Sequence, residues 1–287
     1  MNALQRLINS IVFQTDSGIL TDSDSDNDSG SGSSSERSCM DLSRVMNNIY
    51  HGSNVSLAES ESNDITKYID DMLRPRLVSL EGNIGAGKTT IMEKLKKRYA
   101  DDERFLFIEE PVAMWQQICD KMGKNMIQKY YENPTRYAFA FQIMAFQTRL
   151  QLLKEAIEYA AENQQITTIL MERSLDADYH IFAKMLAEEG VMEKVEYEIY
   201  LQMSTEALKE YAVDGIIWLD TDYEECFRRV EKRGREGEGG LEIRYLRKCA
   251  EYHTEWLGAD LGFVCRIGSS EDEDLDLDLE KVDNYLN

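Results

Sequence analysis

One stretch constrains this chain more than any other: Gly82-Asn-Ile-Gly-Ala-Gly87-Lys88-Thr89, which fits G-x-x-x-x-G-K-[ST]. It lies between an apolar run, Leu77–Glu81, and a helical stretch that begins Thr90-Ile-Met-Glu-Lys-Leu. Glycines at these spacings let successive backbone N–H groups turn toward one point, and the following helix adds the positive end of its dipole. Residues Gly82, Asn83, Ile84, Gly85, Ala86, Gly87, Lys88, Thr89 and Thr90 therefore read as a cradle for phosphate. Lys88 would reach the outer phosphates and the Thr89 hydroxyl a divalent cation such as Mg²⁺.

A strand that feeds such a loop needs a sheet around it. Four more short apolar runs follow: Phe105–Ile108, Ile166–Met171, Gly215–Leu219 and Phe263–Ile267, with long stretches of helical periodicity between them. Short buried-type runs alternating with helices specify an α/β fold, a three-layer sandwich with a five-stranded parallel sheet covered on both faces. The longest helix is expected from about Pro134 to Ala161, opened by the cap signal Asn133-Pro134. The folded domain is placed at residues 73–268.

Composition changes on either side of it. Residues 1–72 carry twelve acids against Arg6, Arg37, Arg44 and Lys67, and residues 269–287 carry eight against Lys281. Thus −8 and −7 of the net charge of −22 belong to the ends. The Ser/Asp/Asn/Gly stretch Thr21–Glu61 has too few large apolar residues to offset the entropy of ordering, so disorder is expected for 1–72. Leu4–Phe13 reads as a short helix before it, and 269–287 as an acidic tail. An acidic surface repels nucleic-acid phosphates and anionic lipid, so the expected partners are small molecules, with no nucleic acid and no membrane. The five cysteines are scattered without a C-x-x-C pair, and no signal peptide or membrane span is visible. The cytoplasm or another reducing compartment is the expectation.

The residues that could act on a phosphate's acceptor lie at the strand ends. After the second run, Glu109-Glu110-Pro-Val-Ala-Met-Trp115 brings two carboxylates to the edge where open α/β sheets bind ligands. One of them could take a proton from an attacking hydroxyl, or both could be solvated loop acids. After the third, Glu172-Arg173-Ser174 offers a metal-binding acid and a phosphate-neutralising guanidinium, or a surface ion pair. On the long helix Gln142, Ala145 and Arg149 share one face among aromatic neighbours, and Asp178 is the candidate partner for Arg149. A basic run with Arg229, Arg233 and Arg235 opens into glycines around Glu238, as a mobile lid over phosphates or as a solvated helix end.

Taken in order, G-N-I-G-A-G-K-T-T, E-P-V-A-x-W, F-Q-x-x-A-x-x-x-x-R, E-R-S-x-x-x-D-x-x-I-F-A and R-x-x-x-R-G-R-x-x-E resemble the deoxyribonucleoside kinases, in particular the deoxycytidine/deoxyguanosine kinase branch. The resemblance runs from about Leu77 to Leu257 and implies a P-loop kinase core. It further implies transfer of the γ-phosphate of ATP to a deoxyribonucleoside 5′-hydroxyl, in nucleotide salvage. It gives Glu110 as general base, Arg173 and Lys88 as further catalytic residues, and Glu172 with Thr89 at Mg²⁺. It places Gln142, Arg149 and Asp178 on the base edge and packs Trp115, Phe141 and Phe182 around the base. Tyr131 and Glu238 fall where the family binds the sugar 3′-hydroxyl; Arg229, Arg233 and Arg235 fall where its lid clamps phosphates. Homodimers joined through helices are usual in the family, which makes Pro134–Ala161 an interface candidate. Three departures stand out: the acidic N-terminal region has no counterpart in the family pattern, Leu257–Gly262 is short, and the acidic tail falls where the family reads the donor base, so ATP is taken as the donor by default.

Two other readings compete. A nucleoside monophosphate kinase of the thymidylate type would need basic groups on the acceptor side, where Glu110 would repel the phosphate. A non-catalytic subunit of an assembly would be expected to lack Lys88, Glu110 or Arg173, and all three are present. Because residues 1–62 lie outside every motif, a chain without them is expected to keep its kinase turnover. Loss of turnover in a truncated chain that remains folded by circular dichroism would give that region a catalytic role.

Overall fold

The computed structural model describes residues 74–235, 238–259, 262–268 and 272–287. The readings made for residues 1–72 lie outside the described residues.

Five strands form the sheet: β1 (Arg76–Gly82), β2 (Phe105–Ile108), β3 (Thr168–Glu172), β4 (Gly215–Asp220) and β5 (Val264–Gly268). Their order is β2-β3-β1-β4-β5 and every pairing is parallel. The fold is the α/β arrangement expected from the sequence. β3 is buried throughout, and β1 and β4 are buried except at Arg76 and Asp220; β2 is half-buried and β5 largely half-buried or exposed. The apolar runs all looked alike, but strand order puts these two at the edges, where one flank has no neighbour.

Side chains on β1 alternate between two cores, as the two-residue strand period requires. Val78 and Leu80 pack with Ile91 and Leu95 of helix α1 (Lys88–Arg98). Leu77 joins Phe146 and Leu153 of the long helix on the other face. The remaining helices are α2 (Val112–Gln117), α3 (Met126–Glu132), α4 (Pro134–Glu162), α5 (Leu175–Ala177), α6 (Lys184–Glu188), α7 (Lys194–Glu210), α8 (Tyr223–Arg233), α9 (Ile243–Leu257) and α10 (Asp272–Leu286). A π-helical segment, Asp178–Ala183, joins α5 to α6. The start of α4 is as read: the Asn133 side chain accepts from the Arg136 N–H, and Pro134 occupies the first turn. None of the helices among the described residues is long and apolar enough to cross a membrane.

Residues 272–287 differ from their reading as part of an acidic tail. Residues Asp272–Leu286 are helical, with Leu279, Val282 and Leu286 buried in the same core as Val78 and Leu80. The Asp-Leu alternation of Asp274–Leu279 hides the helical period, which becomes clear only in the 279, 282, 286 spacing. Polar ties fix α10 in place: Tyr99 donates to Asp283 at 2.6 Å, and Arg76 donates to the Tyr285 carbonyl at 3.1 Å. The Tyr285 hydroxyl in turn accepts the Ile216 N–H at 2.9 Å. Leu286→Ala is therefore expected to lower unfolding stability by about 2 kcal/mol in a urea titration. The exposed control Asn284→Ala should stay within about 0.5 kcal/mol of wild type.

Candidate active site

The sheet order reverses at β1, between β3 and β4, and such switch points leave a crevice at the strands' C-terminal ends. Here that crevice receives the glycine-rich loop after β1, Glu110 after β2 and Arg173 after β3. The loop's conformation demands glycine at two places by close approach as well as by torsion. Gly82 has φ +150° and a Cβ there would lie 2.7 Å from the Leu219 carbonyl oxygen; Gly85 has φ +83° and would meet the Cys226 carbonyl oxygen at 2.5 Å. Asn83 is buried and anchors the loop: its Nδ2 donates to the Leu246 carbonyl of α9 at 2.8 Å and its Oδ1 accepts the Ile84 N–H. Gly87 caps α1 with no side-chain acceptor, which leaves the first helical N–H groups to the crevice.

Lys88 is buried and donates to the carbonyls of Gly82 and Asn83 at 3.1 and 3.0 Å. Burial, followed by the nearby Arg173 guanidinium, lowers its pKa to about 8, so it remains a cation at neutral pH. Thr89 donates to Glu172, with oxygens 3.0 and 3.2 Å away. Burial raises the Glu172 pKa against the pull of Lys88. A hydroxyl beside a carboxylate that pays for its own desolvation is a set of hard oxygen donors suited to Mg²⁺, which binds through one or two such groups plus phosphate and water.

Glu110 and Asp178 are joined by one guanidinium. Arg149 Nη2 meets Glu110 at 2.5 Å, and Nη1 spans both Asp178 oxygens at 2.6 and 2.7 Å. Arg173 Nε lies 3.4 Å from Glu110. The two carboxyls respond in opposite directions. For Asp178, burial outweighs Arg149 and pushes the pKa up to about 6. Burial would raise Glu110 too, but Arg149, Arg173 and Lys88 together outweigh it and hold the pKa at about 2. Glu109, by contrast, faces solvent and pairs with Lys96.

These groups line one cavity of about 330 Å³. Of the residues singled out from sequence, Ile84, Gly85, Gly87, Lys88, Thr89, Thr90, Glu110, Trp115, Tyr131, Phe141, Gln142, Arg149, Glu172, Arg173, Asp178, Phe182, Arg229, Arg233 and Arg235 all border it. Gly82, Asn83 and Ala86 do not; they shape the loop from behind, and the Ala86 carbonyl accepts Thr221 at 3.1 Å and Arg229 at 3.0 Å. Glu238 belongs to a 3₁₀ turn, Glu238–Gly240, and its side chain is not among those described.

Aromatic rings line part of the cavity. Phe141 meets Trp115 edge-on at 5.6 Å, and Arg149 and Arg173 lie over the rings of Trp115 and Phe182 at 5.0 and 4.6 Å. Among them Gln142 is buried, and its Oε1 has no hydrogen-bond partner. A buried amide oxygen costs free energy when unpaired, so this atom favours a ligand that brings a donor. Val112, Ile127, Tyr130 and Tyr245 also line the cavity. They were missed because apolar and tyrosine positions on amphipathic helices look like ordinary core.

Known proteins resemble much of this chain. The family model described as "Deoxynucleoside kinase" matches residues 78–285. The chain is 32% identical over 200 residues to "Deoxycytidine kinase 2" of Gallus gallus, covering 64% of this chain and 74% of that protein. It is 34% identical over 196 residues to "Deoxycytidine kinase 1" of Xenopus laevis (63% and 73%). It is 30% identical over 199 residues to "Deoxyguanosine kinase, mitochondrial" of Xenopus laevis (64% and 74%).

The bridging role of Arg149 gives a stability expectation. Arg149→Met strands the buried Asp178 carboxylate and should lower unfolding stability by about 3–5 kcal/mol in urea. Arg149→Met with Asp178→Ala should recover a large part of that loss. Equal stabilities for the single and double variants would show that the pair carries no mutual compensation.

Proposed function

The chain belongs to the deoxynucleoside kinase family and is an ATP-dependent deoxynucleoside kinase, and from that premise we propose which residues carry the reaction and which acceptors it favours. The observation that carries the reading is the single cavity in which the phosphate loop, Glu110, Arg173 and the Gln142–Arg149–Asp178 group meet.

The acceptor's base lies between Trp115, Phe141 and Phe182, with its polar edge toward Gln142 and Asp178. The Gln142 amide can both donate and accept, whereas ionised Asp178 only accepts, and Arg149 keeps it so. Cytosine, adenine and guanine present an amino or ring N–H donor to such an acceptor. Thymine brings a carbonyl and a methyl group there. Deoxyadenosine, deoxyguanosine and deoxycytidine are therefore the favoured class, with thymidine the poorest of the four. The names of the relatives, deoxycytidine and deoxyguanosine kinases, support this class.

The sugar then directs its 5′-hydroxyl to Glu110. A carboxylate with a pKa of about 2 is a weak base toward an alcohol. Its first task is to accept the hydroxyl's hydrogen bond and aim an oxygen lone pair at phosphorus. The proton follows once bonding to phosphorus has made that oxygen acidic, as a loose phosphoryl-transfer transition state allows. Substrate entry between Glu110 and the two arginines would loosen their hold and raise its basicity. Arg173 and Lys88 face the charge on the transferring phosphoryl group, and Arg229, Arg233 and Arg235 close over the phosphate end. Thr89 and Glu172 would hold Mg²⁺, which supplies charge neutralisation of the β- and γ-phosphates.

Three finer assignments complete the proposal. Two copies would associate through α4 and α7, where Tyr159, Val195 and Ile199 stand exposed. Cys119, Cys226, Cys249 and Cys265 are free, which suits a reducing compartment such as the cytoplasm. No nucleic acid or membrane partner is invoked, since the net charge is strongly negative.

Steady-state kinetics with ATP and the four deoxyribonucleosides test the proposal. Glu110→Gln should lower kcat by roughly 10²–10⁴ with little change in nucleoside binding, and Glu109→Gln should stay near wild type. A crippled Glu109→Gln beside an active Glu110→Gln would move the base to the neighbouring carboxylate. A wild type that prefers thymidine would refute the pocket reading and leave the kinase assignment standing.

A further inference from the structure

A second cavity, of about 770 Å³, adjoins the active site and shares three residues with it: Tyr130, Tyr131 and Tyr245. Side chains that border both cavities are the partition between them. Tyr130 comes from α3 and Tyr245 from α9, and their hydroxyl oxygens meet at 3.2 Å. Burial raises the pKa of each phenol, to about 12 for Tyr130, so both are protonated at neutral pH and one donates to the other. The Tyr130 ring stacks on Phe141 with centroids 4.7 Å apart and planes 11° from parallel, so the partition continues the wall of the base pocket. Tyr131 packs against Tyr130 at 5.1 Å. From behind, the turn after the arginine run holds it in place: a Cβ on Gly240 would lie 3.3 Å from the Tyr131 carbonyl oxygen.

The chemistry beyond the partition decides what could enter. Its walls include Met185, Leu186, Val191 and Leu241. Its rim charges are matched among themselves: Lys248 pairs with Glu189 at 3.0 Å, Arg247 with Glu251 at 3.2 Å and Arg244 with Glu242 at 2.5 Å. Such a space offers no uncompensated charge to a phosphate or a metal ion, and it suits an uncharged organic group.

We propose that the Tyr130–Tyr245 pair is a specificity gate that closes the sugar side of the acceptor site, and that the cavity behind it is a blocked extension able to take uncharged sugar substituents. The proposal rests on the reading of the first cavity as a deoxynucleoside site. With the gate shut, a nucleoside enlarged at the 2′ or 3′ carbon collides with two rings that are packed on both sides. With either ring removed, the substituent enters the second cavity and the 5′-hydroxyl can still reach Glu110.

The test compares kcat/KM for the deoxynucleoside that wild type uses best with that for the same nucleoside bearing an O-propyl group at the 2′ or the 3′ carbon. Wild type should reject both enlarged acceptors. Tyr130→Ala and Tyr245→Ala should each raise use of at least one of them, relative to the parent nucleoside, by about tenfold or more. A simple loss of structure would lower both rates and leave the ratio unmoved, so the ratio is the diagnostic quantity. Circular dichroism and thermal unfolding identify the folded variants; Tyr245, half-buried at the cavity edge, carries the test if Tyr130→Ala does not fold. Unchanged ratios in a folded alanine variant, or a wild type that uses the enlarged acceptors as well as the parent, would overturn the gate. A wild type that phosphorylates no deoxynucleoside would instead overturn the acceptor reading on which it rests.

Discussion

The geometry of the candidate active site depends on where one guanidinium is held. Arg149 projects from α4, takes Asp178 from the π-helical segment with one nitrogen, and takes Glu110 from the end of β2 with the other. Three parts of the chain that are distant in sequence are thereby fixed to one planar group, whose fork gives direction as well as charge. In the proposed reading the arrangement couples recognition to chemistry, because the residue paired with Asp178, proposed to read the base, also sets the charge environment of Glu110, the proposed general base. An isolated buried carboxylate would shed its charge by taking up a proton; two carboxylates sharing a buried arginine need not.

Backbone geometry at the end of β3 adds a second constraint. Arg173 has φ +68°, unusual for a residue with a side chain, and it immediately follows Glu172. Its side chain donates to the Gly82 carbonyl at 3.1 Å, while the next residue, Ser174, is held by Glu81 through its N–H at 2.8 Å and its hydroxyl at 2.7 Å. The turn thus sends Glu172 toward Thr89 and Arg173 toward Glu110 from adjacent positions. A β-strand would point the two to opposite faces in any case; the left-handed residue keeps both within the crevice.

Much of this was legible in the residues. The Gly82–Thr89 loop announced the strand and the helix together, because its glycines are needed for torsion and close approach. The spacing of Gln142, Ala145 and Arg149 put them on one face, and Asp178 was the natural partner for a buried arginine. What stayed hidden was non-local or masked by composition. Nothing in the sequence says that Arg149 reaches two carboxylates, since the second contact depends on how β2 ends against α4. The acidity of Asp272–Leu286 disguised a helix that buries Leu279, Val282 and Leu286. Tyr130 and Tyr245, 115 positions apart, become partners only when α3 and α9 meet.

The environments of two carboxyls of the candidate site, Glu110 and Glu172, are set apart by the same few cations. Glu110 lies against Arg149 and Arg173, and its pKa falls to about 2; Glu172 faces Thr89, where burial prevails and its pKa rises. Opposite shifts of neighbouring acids commonly separate their roles. Here the separation follows from what each lacks. Glu110 already has its positive partners and, in the proposed reading, is available to an incoming hydroxyl that competes for them. Glu172 has a hydroxyl donor and the more distant Lys88, so an added divalent cation would relieve its desolvation most directly. In the proposed reading, the burial that makes Glu172 costly as an anion in the free protein is what would favour a bound cation there, with the Thr89 hydroxyl as the second hard oxygen.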